Sequence, residues 1–389
     1  MTRWPTIQAI SLISPLAMSF SAHREPLLAG RCGLSDRRAL LSGEMVAVGS
    51  LPAEPPSLPD ALAGWDSRSN RFVAALLEPL REPIRIAIDR WGAERVGVVI
   101  GCTTSGIADS EPCYASFGRE GTWPANYRYA RQELGDPARF AAHATGARGP
   151  RYVVSTACTS GAKALVSAAY LLEAGLCDAV LCGGVDTLCG LTLNGFAALE
   201  AISRAPCLPF SRNRSGLSLG EGGALFLLDC QPGELRLAGW GESCDAYHFS
   251  APDPEGTGAE LAMRMALDAV GIAAGDIGYI NLHGTGTTLN DRAEALVTYR
   301  LFGADVACGS TKGMTGHMLG AAGACEAAFV AIGLQQGTLP PHHWDGVADP
   351  EMPPISLVPR AGQRCHSRHM MTCSYAFGGN NCALVLARE

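Results

Sequence analysis

Short apolar runs alternate with Ala- and Leu-rich stretches along most of this chain, and many of the runs end on a turn of small residues. Residues 96–100, 151–154, 178–184, 222–229, 235–240, 277–282, 369–375 and 381–387 have the β-branched, apolar content of buried strands. Residues 69–77, 162–173, 260–270, 291–302 and 317–335 predict helices, the last with Ala and Gly on its packing face. Residues 10–20 read as a first strand and its loop. Residues 43–62, rich in Pro, Ala and Ser without a sustained period, read as a surface loop carrying little chemistry. Residues 123–148 interleave Tyr127, Tyr129 and Phe140 with Arg128, Arg131 and Arg139, which over so short a run predicts an amphipathic helix beside a pocket or a subunit contact. Strands and helices alternate in both halves, so the chain is expected to be an α/β protein with its sheets covered by helices. The similar style of the two halves suggests an internal duplication.

Composition narrows the class. With 47% apolar and 17% charged residues the chain is globular, and a net charge of −7 offers no overall field for nucleic acid. No stretch reaches membrane-spanning length, and the apolar residues 10–20 are broken by Pro15 and preceded by Pro5, unlike a signal peptide. Fifteen cysteines, an odd number with no C-x-x-C pair, argue for a reducing, cytoplasmic setting and against both a disulfide framework and a zinc site. Among the 30 basic residues only Lys163 and Lys312 are lysine, so Lys312 on its Gly-rich turn stands out.

The candidate chemistry sits on the turns. Ser-Thr-Ala-Cys-Thr-Ser-Gly at 155–161 joins a strand to a helix, and there the first helical N–H groups and the helix dipole favour an ionised, nucleophilic Cys158. Simple packing is the competing reading for a small buried cysteine. Three further loops place polar groups after apolar strands: Asn-Leu-His-Gly-Thr-Gly-Thr at 281–287, Gly-Ser-Thr-Lys-Gly-Met-Thr-Gly-His at 309–317, and Ala-Phe-Gly-Gly-Asn at 376–380. Neither a dinucleotide fingerprint nor a P-loop lysine accompanies the glycines near 101–106. Asp291 and Glu294 read as structural carboxylates near a helix N-terminus.

Taken in order, these four motifs resemble those of the β-ketoacyl-acyl-carrier-protein synthases, thiolase-fold condensing enzymes of fatty acid and polyketide synthesis. The likeness runs from about residue 96 onward. It implies duplicated βαβαβαββ halves, residues 1–234 with the nucleophile and 235–389 with two histidines, in a layered α-β-α-β-α arrangement. It implies decarboxylative Claisen condensation: Cys158 takes an acyl chain, the Cys158 and Phe377 amides hold the oxyanion, and His283 and His317 hold the enolate of a malonyl thioester. Lys312 and Glu326 would tune the pocket, Phe377 would gate it with Phe196 as a supporting residue, and Thr285 and Thr287 would bind the phosphopantetheine arm, which arrives on an acyl carrier protein. No resident cofactor or metal is implied. A dimer is, with an identical subunit or with a related ketosynthase or chain-length-factor-like one.

Departures from the fatty-acid pattern carry information too. Ala376 replaces a flexible glycine, Asn380 changes a polar contact, and Glu200 stands where an arginine often meets the carrier protein. With residues 123–148 these lean toward the branch that makes aryl polyene or polyketide-like chains, and they leave Arg204, Arg212 and Arg214 as carrier-docking candidates. A degradative thiolase would need a second cysteine near Phe377. A non-catalytic chain-length factor would lack the nucleophile, and a cysteine hydrolase would leave the histidine pair idle.

Overall fold

The computed structural model describes residues 5–359 and 362–389. Ten strands make up the body of the main sheet: β1 (Thr6–Ile13), β2 (Val96–Gly101), β3 (Arg151–Val154), β4 (Ala179–Asp186), β5 (Gly222–Asp229), β6 (Leu235–Cys244), β7 (Ile277–Asn281), β8 (Ala307–Gly309), β9 (His369–Tyr375) and β10 (Asn380–Arg388). Their order is β8-β7-β9-β10-β6-β1-β5-β4-β2-β3, with the two-residue strand Ser356–Leu357 beyond β8. Within the main sheet the two halves join between β1 and β6, through Thr6 opposite Arg236 and Ile7 opposite Leu235.

The order makes the duplication visible. In the first half, β1 to β5 lie third-second-fourth-fifth-first from the outer edge inward, and in the second half β6 to β10 repeat that order. The directions match as well. β2 runs parallel to β3 and β4, as β7 does to β8 and β9; β5 is antiparallel to β4 and β1, as β10 is to β9 and β6.

Both faces of each half-sheet are buried, which is why these strands read as continuous apolar runs. On β4, Val180 and Cys182 join the core between the half-sheets, while Ala179, Leu181 and Val185 join a core under helices Arg68–Leu77 and Asp136–Thr145. On β10, Cys382, Leu384 and Leu386 face the middle, and Ala383, Val385 and Ala387 face the core under helix Thr257–Val270. The middle layer is a pair of helices, α1 (Ser160–Glu173) and α2 (Ala322–Gln336), the latter buried from Ala322 to Leu334. Glycine allows their close approach: a Cβ on Gly161 would meet the Gly320 carbonyl and Ala324. The result is the expected five-layer thiolase-like arrangement.

Three local expectations are corrected. Residues 43–62 are not all loop, because Met45–Gly49 is a strand between Asp36–Ala39 and Leu219–Gly220 in a separate small sheet, with Val46 and Val48 buried. The long helix does not begin at His317. Gly316 (φ 72°) and Leu319 (φ 49°) have left-handed backbone, so α2 begins at Ala322 after a single 3-10 turn, and His317 lies in an extended segment whose N–H donates to Ser218 O at 2.7 Å. Residues 123–148 form two helices, Tyr129–Gln132 and Asp136–Thr145, rather than one. Among the described residues no helix is long and apolar enough to cross a membrane.

Candidate active site

Cys158 lies between β3 and α1, two residues before the helix begins, on a turn that its neighbours tie down. Ala157 takes a left-handed φ of 52°, the Thr156 N–H donates to Ser160 Oγ at 2.9 Å, and Thr159 Oγ1 donates to Thr156 O at 2.7 Å. Gly101, at the end of β2, has no room for a Cβ against the start of α1, so the helix after Cys158 is seated directly on the strand.

His283 follows β7 on a turn clamped by Glu294, which accepts the His283 N–H at 2.6 Å and the Gly284 N–H at 2.7 Å. Asp291 accepts the Thr285 N–H at 3.0 Å and the Phe210 N–H at 2.7 Å. Both carboxylates sit on helix Thr288–Phe302 and are structural as expected, but they act as loop clamps as well as residents of a helix start. Burial raises both carboxyls, Glu294 to about 8. His317 brings its Nε2 to 2.9 Å from Cys158 Sγ, and the His283 and His317 rings stand edge to face with centroids 5.2 Å apart.

Lys312 lies behind His283, fully buried. It hydrogen-bonds the His283 carbonyl and ion-pairs with Glu326, and its Nζ is 3.3 Å from His283 Nδ1. An ammonium can only donate, so Nδ1 accepts and the imidazole proton sits on Nε2. His317 Nδ1 meets no acceptor among the described residues, which favours the same tautomer there. Burial, with the Lys312 charge adding to it, holds both imidazoles well below the usual histidine range. The pair is neutral, with two N–H donors available to the space in front of the sulfur.

The thiol corrects the expectation from the helix terminus. Burial pushes Cys158 up to about 12, against the downward pull of Lys312 and with Asp186 and Glu326 adding to the rise. With the cysteine two residues outside the helix, desolvation outweighs the dipole. The resting site is therefore a thiol beside neutral imidazoles. Burial likewise lifts Glu326 to about 7 despite its Lys312 partner.

One cavity of about 430 Å³ is lined by Cys158, His283, His317, Phe377, Phe196, Thr285 and Thr287. Phe377, 37% exposed, stacks at a tilt 5.4 Å from Phe196 at its mouth. The turn beneath Phe377 needs left-handed backbone at Gly378 (φ 85°) and Gly379 (φ 76°), and the Phe377 N–H has no acceptor among the described residues. Thr285 and Thr287 share a hydroxyl contact of 2.9 Å.

The three arginines do not line the cavity, and they differ from one another. Arg212 is exposed, and Arg204 is exposed but paired with Glu44. Arg214 is unsuited to docking: its side chain is 6% exposed and is tied to Asp349 at 2.6 Å.

The sequence reading missed Asp186, at the end of β4. This buried carboxylate accepts the N–H groups of Thr103 (2.9 Å), Thr104 (2.8 Å) and Gly320 (2.6 Å) and two threonine hydroxyls, tying the loop after β2 to the segment after His317. A charged residue closing a fully apolar strand was the available signal. The sulfur and the two ring nitrogens lie within 4.8 Å of one another, the one such group among the described residues able to hold a metal ion. The ammonium against His283 opposes a dication there.

Comparison with known proteins agrees with this geometry. Residues 78–231 match the family described as Beta-ketoacyl synthase, N-terminal domain, and residues 235–344 the corresponding C-terminal domain. The chain is 31% identical over 339 residues to 3-oxoacyl-[acyl-carrier-protein] synthase 2 of Staphylococcus aureus, covering 82% of this chain and 84% of that one. Among solved structures, the ketosynthase ApeO in complex with its chain length factor ApeC, from Xenorhabdus doucetiae, matches with a TM-score of 0.94 and 39% identity over 100% of this chain and 98% of that one. The ishigamide ketosynthase/chain length factor matches at 0.85 and 25%, each chain fully covered.

Proposed function

We propose that this chain, which belongs to the β-ketoacyl synthase family, is the catalytic subunit of a specialised chain-elongating pair rather than a housekeeping fatty-acid enzyme. The family makes it a condensing acyltransferase of fatty-acid or polyketide type. The observation that carries the residue assignment is the convergence of Cys158 Sγ and both imidazoles on one cavity. On this reading the chain divides after residue 234, the first half supplying the nucleophile and the second both histidines.

In the first step the Cys158 sulfur attacks the carbonyl of an acyl thioester on a carrier protein. The Cys158 and Phe377 amides accept the charge of the tetrahedral oxyanion, and the pantetheine thiolate leaves and takes up the cysteine's proton. The His317 Nε2–H, donating toward sulfur, stabilises the thiolate as it forms. In the second step a malonyl thioester occupies the cavity, its arm along Thr285 and Thr287. Its carboxylate leaves as carbon dioxide, and the electron pair becomes an enolate whose oxygen is held by the Nε2–H groups of His283 and His317. The enolate carbon then attacks acyl-Cys158, forming the carbon–carbon bond and expelling the sulfur. No resident cofactor takes part; the phosphopantetheine comes with the carrier.

The specialised pathway, of aryl polyene or polyketide type, rests on full-length likeness to ApeO and on the departures at Ala376, Asn380 and Glu200. By the same likeness the partner subunit is a non-identical, chain-length-factor-like protein, and fifteen free cysteines fit a cytoplasmic site. A thiolase reading is disfavoured because Cys158 is the one cysteine among the described residues lining the cavity. The test is a product-mass assay with malonyl carrier protein and a panel of saturated acyl and aryl-enoyl carrier proteins, with and without a co-expressed partner. Condensation of aryl-enoyl substrates only with the partner supports the proposal. Efficient elongation of saturated chains by the chain alone overturns it.

A further inference from the structure

Lys163 occupies an unfavourable place for a cation. It lies at the end of the first turn of α1, where the helix dipole and the free N–H groups prefer negative charge. It is one of only two lysines in the chain. Its ammonium does not point to solvent: the side chain is 14% exposed and crosses to the other half of the protein, 3.2 Å from Asn380 Oδ1 and 3.4 Å from Glu242 Oε1. Glu242 stands on β6 opposite Cys382, and the pair lies at the root of the turn that carries Phe377.

That turn is fastened on two sides. Its own backbone closes through the Ala376 N–H to Asn380 O at 2.8 Å, and the segment after β6 holds it through the Asp245 N–H to Gly379 O and the Gly378 N–H to Phe249 O, both 2.8 Å. The Lys163 bond to Asn380 is different in kind. It joins the turn to the helix that begins just beyond Cys158, so it fixes the Phe377 amide and ring relative to the sulfur. A threonine at position 380, the residue of the fatty-acid pattern, offers a hydroxyl in place of the longer amide oxygen.

We propose that Lys163 is a positioning residue that latches the Phe377 turn closed over Cys158, so that entry to the sulfur requires the Lys163–Asn380 hydrogen bond to open. The inference rests on the gating role of Phe377. It goes beyond that role by naming what holds the gate shut.

The test is the rate of Cys158 alkylation by iodoacetamide, followed at the Cys158 peptide by mass spectrometry on the full chain. Lys163→Met and Asn380→Ala should each speed alkylation about fivefold, the equivalent of one partly exposed hydrogen bond. The double variant should be no faster than either single one, Lys163→Arg should return toward the wild-type rate, and the ratios should be equal at pH 7 and pH 9 because access and not ionisation changes. Phe377→Ala is the control that opens the gate directly. If Phe377→Ala accelerates alkylation and Lys163→Met does not, the latch is wrong while the gate stands. If Phe377→Ala is also silent, the gate reading itself fails and the latch with it. Additive effects of Lys163→Met and Asn380→Ala, with a matching loss of thermal stability, would assign Lys163 an ordinary structural role and overturn the proposal.

Discussion

Replacing Lys312 by Met tests the electrostatic account of Cys158, the proposed nucleophile. The ammonium lies 3.3 Å from the near nitrogen of His283, and the donor atoms of His283 and Cys158 lie within 4.8 Å of each other. Allowing for the ring between them, the charge is roughly 7 Å from the sulfur, and at an effective dielectric near 20 Coulomb's law gives about 2 kcal/mol in favour of the thiolate. Glu326 offsets part of this in the wild type. In the variant that carboxyl, already at about 7 beside the ammonium, takes up a proton and leaves the site without either charge. The net loss should be about one pK unit, so the variant should alkylate about tenfold more slowly at any given pH.

The pH profile supplies the second half of the same experiment. A thiol at about 12 is un-ionised through the working range, so the iodoacetamide rate at Cys158 should climb about tenfold per pH unit from roughly pH 6.5 to 9.5 without levelling. The Lys312→Met line should run parallel and below. Peptide-level mass spectrometry separates Cys158 from the exposed Cys32 and Cys244, which serve as internal controls. Levelling of the wild-type rate below about pH 8 would mean the helix terminus has already ionised the thiol, and a variant as fast as the wild type would mean that Lys312 places no field at the sulfur; either result refutes the account.

Other expectations are more local. His283→Ala should leave acylation of Cys158 nearly intact while lowering malonyl decarboxylation about 10²–10³-fold, the usual cost of one oxyanion donor, read by carbon dioxide release. Asp186→Ala strands the N–H groups of Thr103, Thr104 and Gly320 and should cost about 3–5 kcal/mol, measured as the shift of the denaturant midpoint. Arg212→Glu should weaken carrier-protein turnover more at low salt than at high salt with no change in stability. Arg214→Glu should instead destabilise the fold by opposing Asp349, seen as a lower melting temperature.

The strands were legible because both faces of each half-sheet are covered, so burial wrote an unbroken apolar run into residues such as those of β4, β5 and β10. The strand at Met45–Gly49 was hidden because its neighbours are Pro- and Ser-rich and its partners lie far along the chain, at Asp36–Ala39 and Leu219–Gly220. The start of α2 was misplaced because helical periodicity carries through Leu319, whose positive φ is imposed by tertiary packing and not by its residue type. Chemistry divided in the same way. The motifs located Cys158, His283, Lys312 and His317 on their turns because turns demand glycine at fixed offsets.

Protonation did not follow from those offsets, since it depends on how much water remains around a group after long-range packing. The helix terminus is a local feature and argues for a thiolate; the layer of α1 on α2 that buries the sulfur is not local, and it pushes the thiol the other way. The two effects meet at the imidazoles. Desolvation that disfavours the thiolate also keeps His283 and His317 neutral, and a neutral ring anchored through Nδ1 by Lys312 can donate from Nε2 without carrying charge into the cavity. A wetter site would give a more reactive resting cysteine and would weaken the same two donors, because each N–H aimed at an enolate oxygen is worth more where water cannot compete. On the proposed assignment, a dry cavity therefore suits the decarboxylation step at the expense of the first acyl transfer, in which Lys312 and the His317 N–H would stabilise the sulfur only as its charge develops.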